Sequence, residues 1–297
     1  MRVAITGASG FIGSRLAAEL SAAGHGVVPV GRRAGADGVQ WDPAAGRIDA
    51  RRLEGLDAVV HLAGENLNGR WTAGKKWRIV ESRVRGTALL ADTLAHLEHP
   101  PATLISGSAV GFYGAHAPDE ELDERAPAGT GFLASLVRDW ENAAAPAAAA
   151  GIRVVHPRMG LVVGAGGALA AMLPPFRLGL GGPIGSGRQV VSWIALDDVA
   201  HAMRHVLDTP ALRGPVNFTA PNPVSFAELA RALGRVLHRP VLFRLPAWVA
   251  RLALGEMAEE MLLGGARAVP RALLASGYRF RFLEITGALR QAVGRAA

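Results

Sequence analysis

Three glycines spaced three apart, Gly7, Gly10 and Gly13, lie in the run Thr6-Gly7-Ala8-Ser9-Gly10-Phe11-Ile12-Gly13. The apolar segment Arg2-Val3-Ala4-Ile5 precedes them, and Ile12, Leu16 and Leu20 follow at helical spacing. A strand that turns at once into a helix needs glycine at these points for separate reasons. Gly7 permits the tight turn, Gly10 lets a pyrophosphate reach the backbone, and Gly13 lets helix and strand pack closely. The helix N-terminus then offers free N–H groups and the positive end of its dipole to phosphates. Dinucleotide binding is the chemistry implied, with Ser9, Phe11 and Ile12 completing the loop; a glycine-rich turn without a ligand is the alternative. The second strand, Val27-Val28-Pro29-Val30, ends in Gly31-Arg32-Arg33, with no acid before Asp37. An acid at this place binds the 2′-hydroxyl of NAD, whereas arginine accommodates the 2′-phosphate of NADP. Arg32 and Arg33 therefore predict NADP(H), unless they are merely solvated loop charges.

The elements that hold these residues alternate. Asp57-Ala58-Val59-Val60-His61-Leu62 reads as a buried strand, and a long helix is expected from about Gly74 to Leu97. Ala102 to Ser106 is the next strand, Gly131 to Ala150 is mostly helical, and Ile152 to Val155 is a strand again. Such βαβα alternation predicts an α/β fold, a Rossmann-type doubly wound parallel sheet. From Gly160 to Gly187 the chain is rich in glycine, with Pro174, Pro175 and Pro183, and reads as a loop lobe. Asp197-Asp198 is expected to cap a helix through Leu207, Val216 to Thr219 to return as a strand, and Ser225-Phe226-Ala227-Glu228 to open another helix as a capping box. Short helices follow Pro246 and Pro270. The expected division is a cofactor domain over 1–163, to which a strand and helix at about 190–220 return. A smaller, mostly helical C-terminal substrate lobe takes 164–189 and 221–297.

Composition bounds the rest. The 297 residues are 50% hydrophobic and 19% charged, enough for a large core. There is no cysteine, hence no disulfide and no thiolate nucleophile. No run of about 18 apolar residues offers a membrane span, and no signal-peptide pattern opens the chain, so a cytoplasmic protein is expected. The net charge of +7 is dispersed, and aromatics are 6%. This favours anionic small-molecule ligands over nucleic acid. No metal-ligand spacing is found among the nine histidines and 25 acids. A monomer or homodimer is expected, with a small-molecule substrate and with neither nucleic acid nor a membrane as partner.

The fingerprint resembles that of the extended short-chain dehydrogenases/reductases, the NAD(P)-dependent epimerase/dehydratase group. His61-Leu62-Ala63-Gly64, Ser106 to Gly114 and Ser192 to Ala200 are similar to further segments of that family. Gly69-Arg70-Trp71, Ser82 to Thr87, Pro174 to Gly182 and Gly187-Arg188-Gln189 resemble an atypical subgroup, the epimerase family proteins, as does a small helical domain at about Leu245 to Leu289. The resemblance implies that Leu62, Ala63 and Gly64 lie along the cofactor. It implies that Ser108 is the serine that hydrogen-bonds a substrate oxygen; otherwise Ser108 is a strand-end serine bonded to backbone. Tyr113 falls where extended members place a substrate-side tyrosine, Arg83 where they place an asparagine, and Arg188 and Gln189 where they contact substrate. His61 reads as a structural donor.

One departure is large. The family's Tyr-x-x-x-Lys, in which tyrosine transfers a proton, has no counterpart. Phe132 or Leu133 stands at the tyrosine place and Leu136 or Val137 at the lysine place. None of these can move a proton. The expected catalytic set is therefore Ser108, Tyr113 and Arg83, with Arg83 lowering the pKa of Tyr113; a packed aromatic is the competing reading of Tyr113. The functional expectation is an NADP(H)-dependent oxidoreductase or epimerase-like enzyme acting on a carbonyl- or hydroxyl-bearing, anionic metabolite. Its rival is a non-catalytic NADPH-binding sensor or interaction protein on the same scaffold.

Overall fold

The computed structural model describes residues 1–33, 35 and 37–294. The last three residues of the expected C-terminal lobe thus lie outside the described residues. The chain begins with β1 (Arg2–Thr6), α1 (Phe11–Ala22), β2 (Gly26–Gly31), β3 (Val39–Asp42), β4 (Arg47–Ile48) and β5 (Ala58–His61). It continues through α2 (Ala73–Val80), α3 (Gly86–Ala95), β6 (Thr103–Ser106), β7 (Ser108–Ala109) and α4 (Phe132–Asn142). With the strands Arg153–Met159 and Gly214–Phe218, these build one sheet. Its order is Gly214–Phe218, Arg153–Met159, β6, β5, β1, β2, β3, β4; all neighbours are parallel except β3 and β4. The chain runs outward from β1 to β3 and then returns to β5 on the other side of β1. Ligands bind at such a reversal, beyond the C-terminal ends of the strands.

Both faces of the sheet are buried, as parallel sheets require. Val3 and Ile5 of β1 pack with Leu16 and Leu20 of α1 and with Met203 and Val206 of the helix Leu196–Asp208. Ala4, between them in sequence, points to the opposite face with Val59, Leu90, Leu94 and Leu104. This alternation is the period-two geometry of a strand. Beyond the sheet, the helices Gly167–Arg177, Phe226–Leu237 and Ile285–Ala292 share a second core around Trp193, Leu229, Leu233 and Leu289. The capping box expected at Ser225 is present.

Three local expectations are corrected. The glycine-rich stretch is not all loop: residues 167–177 are helical, with Pro174 and Pro175 inside. Both prolines lie in the last turn on its exposed side, with exposed Ala170 and Ala171, so the carbonyls they leave unbonded face water. The helix expected from Gly74 to Leu97 is interrupted by a π turn at Glu81–Arg85. Asp198 does not cap its own helix; its carboxylate accepts from the Tyr278 hydroxyl and from the N–H groups of Arg281 and Phe282, tying the C-terminal segment to the sheet.

Candidate functional site

Gly10 is the N-cap of α1, and no side chain caps that helix. A Cβ at Gly10 would meet only the Gly7 carbonyl oxygen, at 3.1 Å, so the space above the loop is open. Gly7 has φ +70° and sits against the Leu62–Ala63 backbone, where a Cβ would lie 3.1 Å from Ala63 N. Gly13 is tighter still: a Cβ would lie 2.1 Å from Gly7 O. The loop is an uncapped helix N-terminus with a concave backbone, the shape a pyrophosphate fits. Ser9 is exposed at its tip. The Phe11 ring is covered by the 164–167 turn, whose Gly164, Gly166 and Gly167 have no room for a Cβ against it.

The Thr6 hydroxyl sets the neighbouring turn. It accepts from Leu62 N at 3.0 Å and Ala63 N at 3.1 Å, and its own proton is directed to His61 Nδ1 at 2.7 Å. His61 is fully buried, and burial, with the nearby Arg83 charge, lowers its pKa to about 4. With Nδ1 accepting from Thr6, the ring proton falls on Nε2, which has no partner among the described residues, so the expectation of a structural donor is corrected. Because the unfolded ring titrates near 6.5, the unfolded chain binds the extra proton first as pH falls. Stability from neutral His61 is complete above about pH 6.5 and is lost progressively toward pH 4. The unfolding free energy measured in urea is expected to fall by roughly 3 kcal/mol over that window, and His61→Leu to flatten this slope. An unchanged slope in the variant would refute it.

Arg83 stands in the π turn, beside the end of β5. Its guanidinium lies against Gly64, donates to Glu65 O at 2.9 Å and sits 5.2 Å from the Trp140 ring centroid. No carboxylate lies within 4.0 Å of it among the described residues. Burial lowers its pKa to about 10, so it is still a cation at neutral pH. Arg32 and Arg33 are exposed directly after β2, with no carboxylate partner among the described residues.

Ser108 and Tyr113 belong to a different environment. The Ser108 hydroxyl donates to Glu141 Oε1 at 2.6 Å, and Arg158 holds the same carboxylate through Nε at 2.8 Å and Nη2 at 2.9 Å. The Tyr113 hydroxyl donates to Asn217 Oδ1 at 2.7 Å and accepts from Arg158 Nη1 at 3.1 Å. Tyr113 has no exposed surface, and burial raises its pKa against the opposing pull of Arg158. This corrects the expectation that Arg83 lowers the Tyr113 pKa at the cleft. The short turn Val110–Tyr113 directs the ring inward to the strand Gly214–Phe218, and Arg158 is the cation beside it. Arg83 thus stands alone beside the end of β5, while Ser108, 1% exposed, is enclosed together with the phenol.

The helix α4 is apolar where the resembling family has its proton-transfer pair. Phe132 packs edge-on against Trp71, and Leu133 and Leu136 cluster with Met257. Glu260 caps its first N–H groups, those of Phe132 at 2.9 Å and Leu133 at 3.1 Å. Gln189 is also corrected: its amide donates to Ile184 O and Leu262 O, so it ties two loops together and is not free for a ligand. Arg188 is exposed and lines a recess of about 390 Å³ with Ser225, Glu228, Arg231 and Arg267. Among the described residues no cluster of potential metal ligands occurs. Sequence reasoning missed Glu141, Arg158 and Glu260. Glu141 lies nine residues after Phe132 on α4, but no local signal marks its arginine partner.

Residues 3–217 match the NAD dependent epimerase/dehydratase family, and residues 245–292 match a domain of unknown function, DUF1731. The chain belongs to the NAD dependent epimerase/dehydratase family. Within it the chain is an epimerase family protein of the extended short-chain type with a helical C-terminal region. It is 46% identical over 297 residues to an epimerase family protein of Mycobacterium tuberculosis, covering 99% of this chain and 98% of that one. The crystal structure of the human epimerase family protein SDR39U1 (isoform 2) with NADPH superposes with a TM-score of 0.90 at 37% identity, covering all of both chains. A nucleoside-diphosphate sugar epimerase from Corynebacterium glutamicum gives 0.80 at 36% identity, over 99% of this chain and 58% of that one.

Proposed function

We propose that this epimerase family protein binds NADP(H) and acts as an oxidoreductase on an anionic carbonyl- or hydroxyl-bearing metabolite, working in the cytoplasm. One observation carries the chemistry: Arg83, a largely buried guanidinium beside the end of β5, has no carboxylate partner among the described residues. The nearby Glu65 carboxylate is held by Lys75 and Arg78 and makes no salt bridge to Arg83, and a largely buried cation left so suits a site completed by an anion or oxyanion from the ligand. The uncapped N-terminus of α1 fits the pyrophosphate, and Arg32 and Arg33 fit a 2′-phosphate, as the NADPH in the human relative supports. When bound, the nicotinamide supplies or takes up hydride. Arg83 would hold the substrate oxygen and stabilise its developing charge. Ser108, its proton committed to Glu141, would offer its lone pairs rather than donate. In this reading residues 1–163 hold the cofactor, and 164–189 with 221–297 shape the substrate side, Arg188 being its exposed cation.

A second reading is a protein that binds NADPH without turnover. The enclosure of Tyr113 and the apolar start of α4 favour it, because neither place retains a proton donor facing the cleft. Following NADPH consumption against a panel of oxo acids and aldehydes separates the two. Turnover is expected, with Arg83→Gln reducing kcat/KM on the order of 10²–10³-fold. Absence of turnover with every carbonyl compound would leave the second reading.

A further inference from the structure

Twelve large apolar side chains are exposed among the described residues, and seven fall in two short segments. Leu178 and Leu180 follow the helix Gly167–Arg177. Leu242, Phe243 and Leu245 precede the helix Ala247–Leu254, whose Trp248 and Leu252 point outward one turn apart. The segments lie side by side: Gly185 N donates to Leu245 O, Leu245 N donates to Pro183 O, and Gly182 packs on the Phe243 carbonyl. Trp248 is 65%, Leu252 71% and Leu242 81% exposed, so these side chains protrude and line no core. A continuous apolar patch of this kind marks an interaction surface.

Its charge says what kind. From Leu161 to Leu196 and from Leu229 to Gly255 the sequence contains no Asp or Glu and seven arginines. Arg177 and Arg244 are exposed beside the patch, and Arg231, Arg235, His238 and Arg239 line an adjoining recess of about 560 Å³. The acids that follow are already engaged: Glu256 with Lys76, Glu259 with Arg251, and Glu260 at the start of α4. Protruding tryptophan and leucine within a field of arginine form the pattern of a helix that lies in a membrane interface. A second copy docked face to face would set arginines chiefly against arginines, since the neighbouring Glu256 and Glu259 are already paired.

We propose that this face docks reversibly on an anionic lipid surface. Trp248 and Leu252 enter the boundary between headgroups and acyl chains, and the arginines meet headgroup phosphates. No helix of the described residues is long and apolar enough to cross the bilayer, so the contact is peripheral. Co-sedimentation of the full chain with vesicles of phosphatidylcholine, with and without phosphatidylglycerol, tests this. Binding is expected to be at least about tenfold tighter with phosphatidylglycerol and to weaken with added salt. The variants Trp248→Ser/Leu252→Ser and Arg177→Gln/Arg244→Gln should each lower it roughly tenfold or more while melting as the parent does. No binding to the anionic vesicles, or equal binding to both, overturns the proposal. So does a dimer in light scattering that Trp248→Ser/Leu252→Ser abolishes, which would assign the face to a second copy.

Discussion

Glu141→Ala is expected to destabilise the protein by about 3–5 kcal/mol, the usual cost of removing one partner of a buried ion pair. The Glu141 and Arg158 side chains are 11% and 4% exposed. Without the carboxylate, Arg158 keeps an uncompensated charge beside Phe112, and the Ser108 hydroxyl loses its acceptor. The loss should reach the phenol too, since Arg158 also donates to Tyr113. A double variant, Glu141→Leu with Arg158→Met, should lose less than Glu141→Ala alone, because it removes both charges together. Denaturant titration of the three proteins measures this; a loss below about 1 kcal/mol in Glu141→Ala would mean that water reaches Arg158.

The network explains why part of the site was legible in the sequence and part was not. Gly7, Gly10 and Gly13 could be read because each is demanded by backbone geometry within a few residues of chain. The same holds for Ser225 and Glu228, which cap a helix locally. Tyr113 could not be read in this way. Its fate depends on Asn217, 104 positions away, and on Arg158, 45 positions away. Gln189 likewise looked free in sequence and is fixed by the Leu262 carbonyl.

Helix breaks were also hidden. Apolar spacing from Trp77 to Leu94 runs evenly in sequence, yet the π turn at Glu81–Arg85 changes the register, and before it Ile79 is the buried residue while Trp77 is 62% exposed. Arg83 lies in this π turn and reaches Gly64. Proline content argued for a loop over 167–177, yet both prolines sit in a last turn on the solvent side, where their missing N–H groups cost little. The doubly wound parallel sheet, by contrast, followed from strand–helix alternation, although the antiparallel edge pair β3–β4 did not.

The glycine loop allows cofactor binding to be separated from folding. Gly10→Val is expected to fold with near-parental stability and to weaken NADPH binding by 100-fold or more, on the order of 3 kcal/mol. Gly10 has φ −77° and ψ 173°, extended backbone that valine adopts readily. A Cβ there meets only Gly7 O at 3.1 Å, so the added methyl groups fill the open space above the loop, where a pyrophosphate must come. Gly13 provides the contrast, because its Cβ would lie 2.1 Å from Gly7 O and any side chain there forces the loop off α1. Melting by circular dichroism with and without NADPH measures both effects. NADPH should raise the melting temperature of the parent and leave Gly10→Val unmoved. Arg32→Ala in the same series should lose roughly tenfold for NADPH and little for NADH, since a guanidinium–phosphate contact contributes about 1.5–3 kcal/mol. Undiminished stabilisation of Gly10→Val by NADPH would place the phosphates away from this loop and end the cofactor assignment on which the proposed reaction rests.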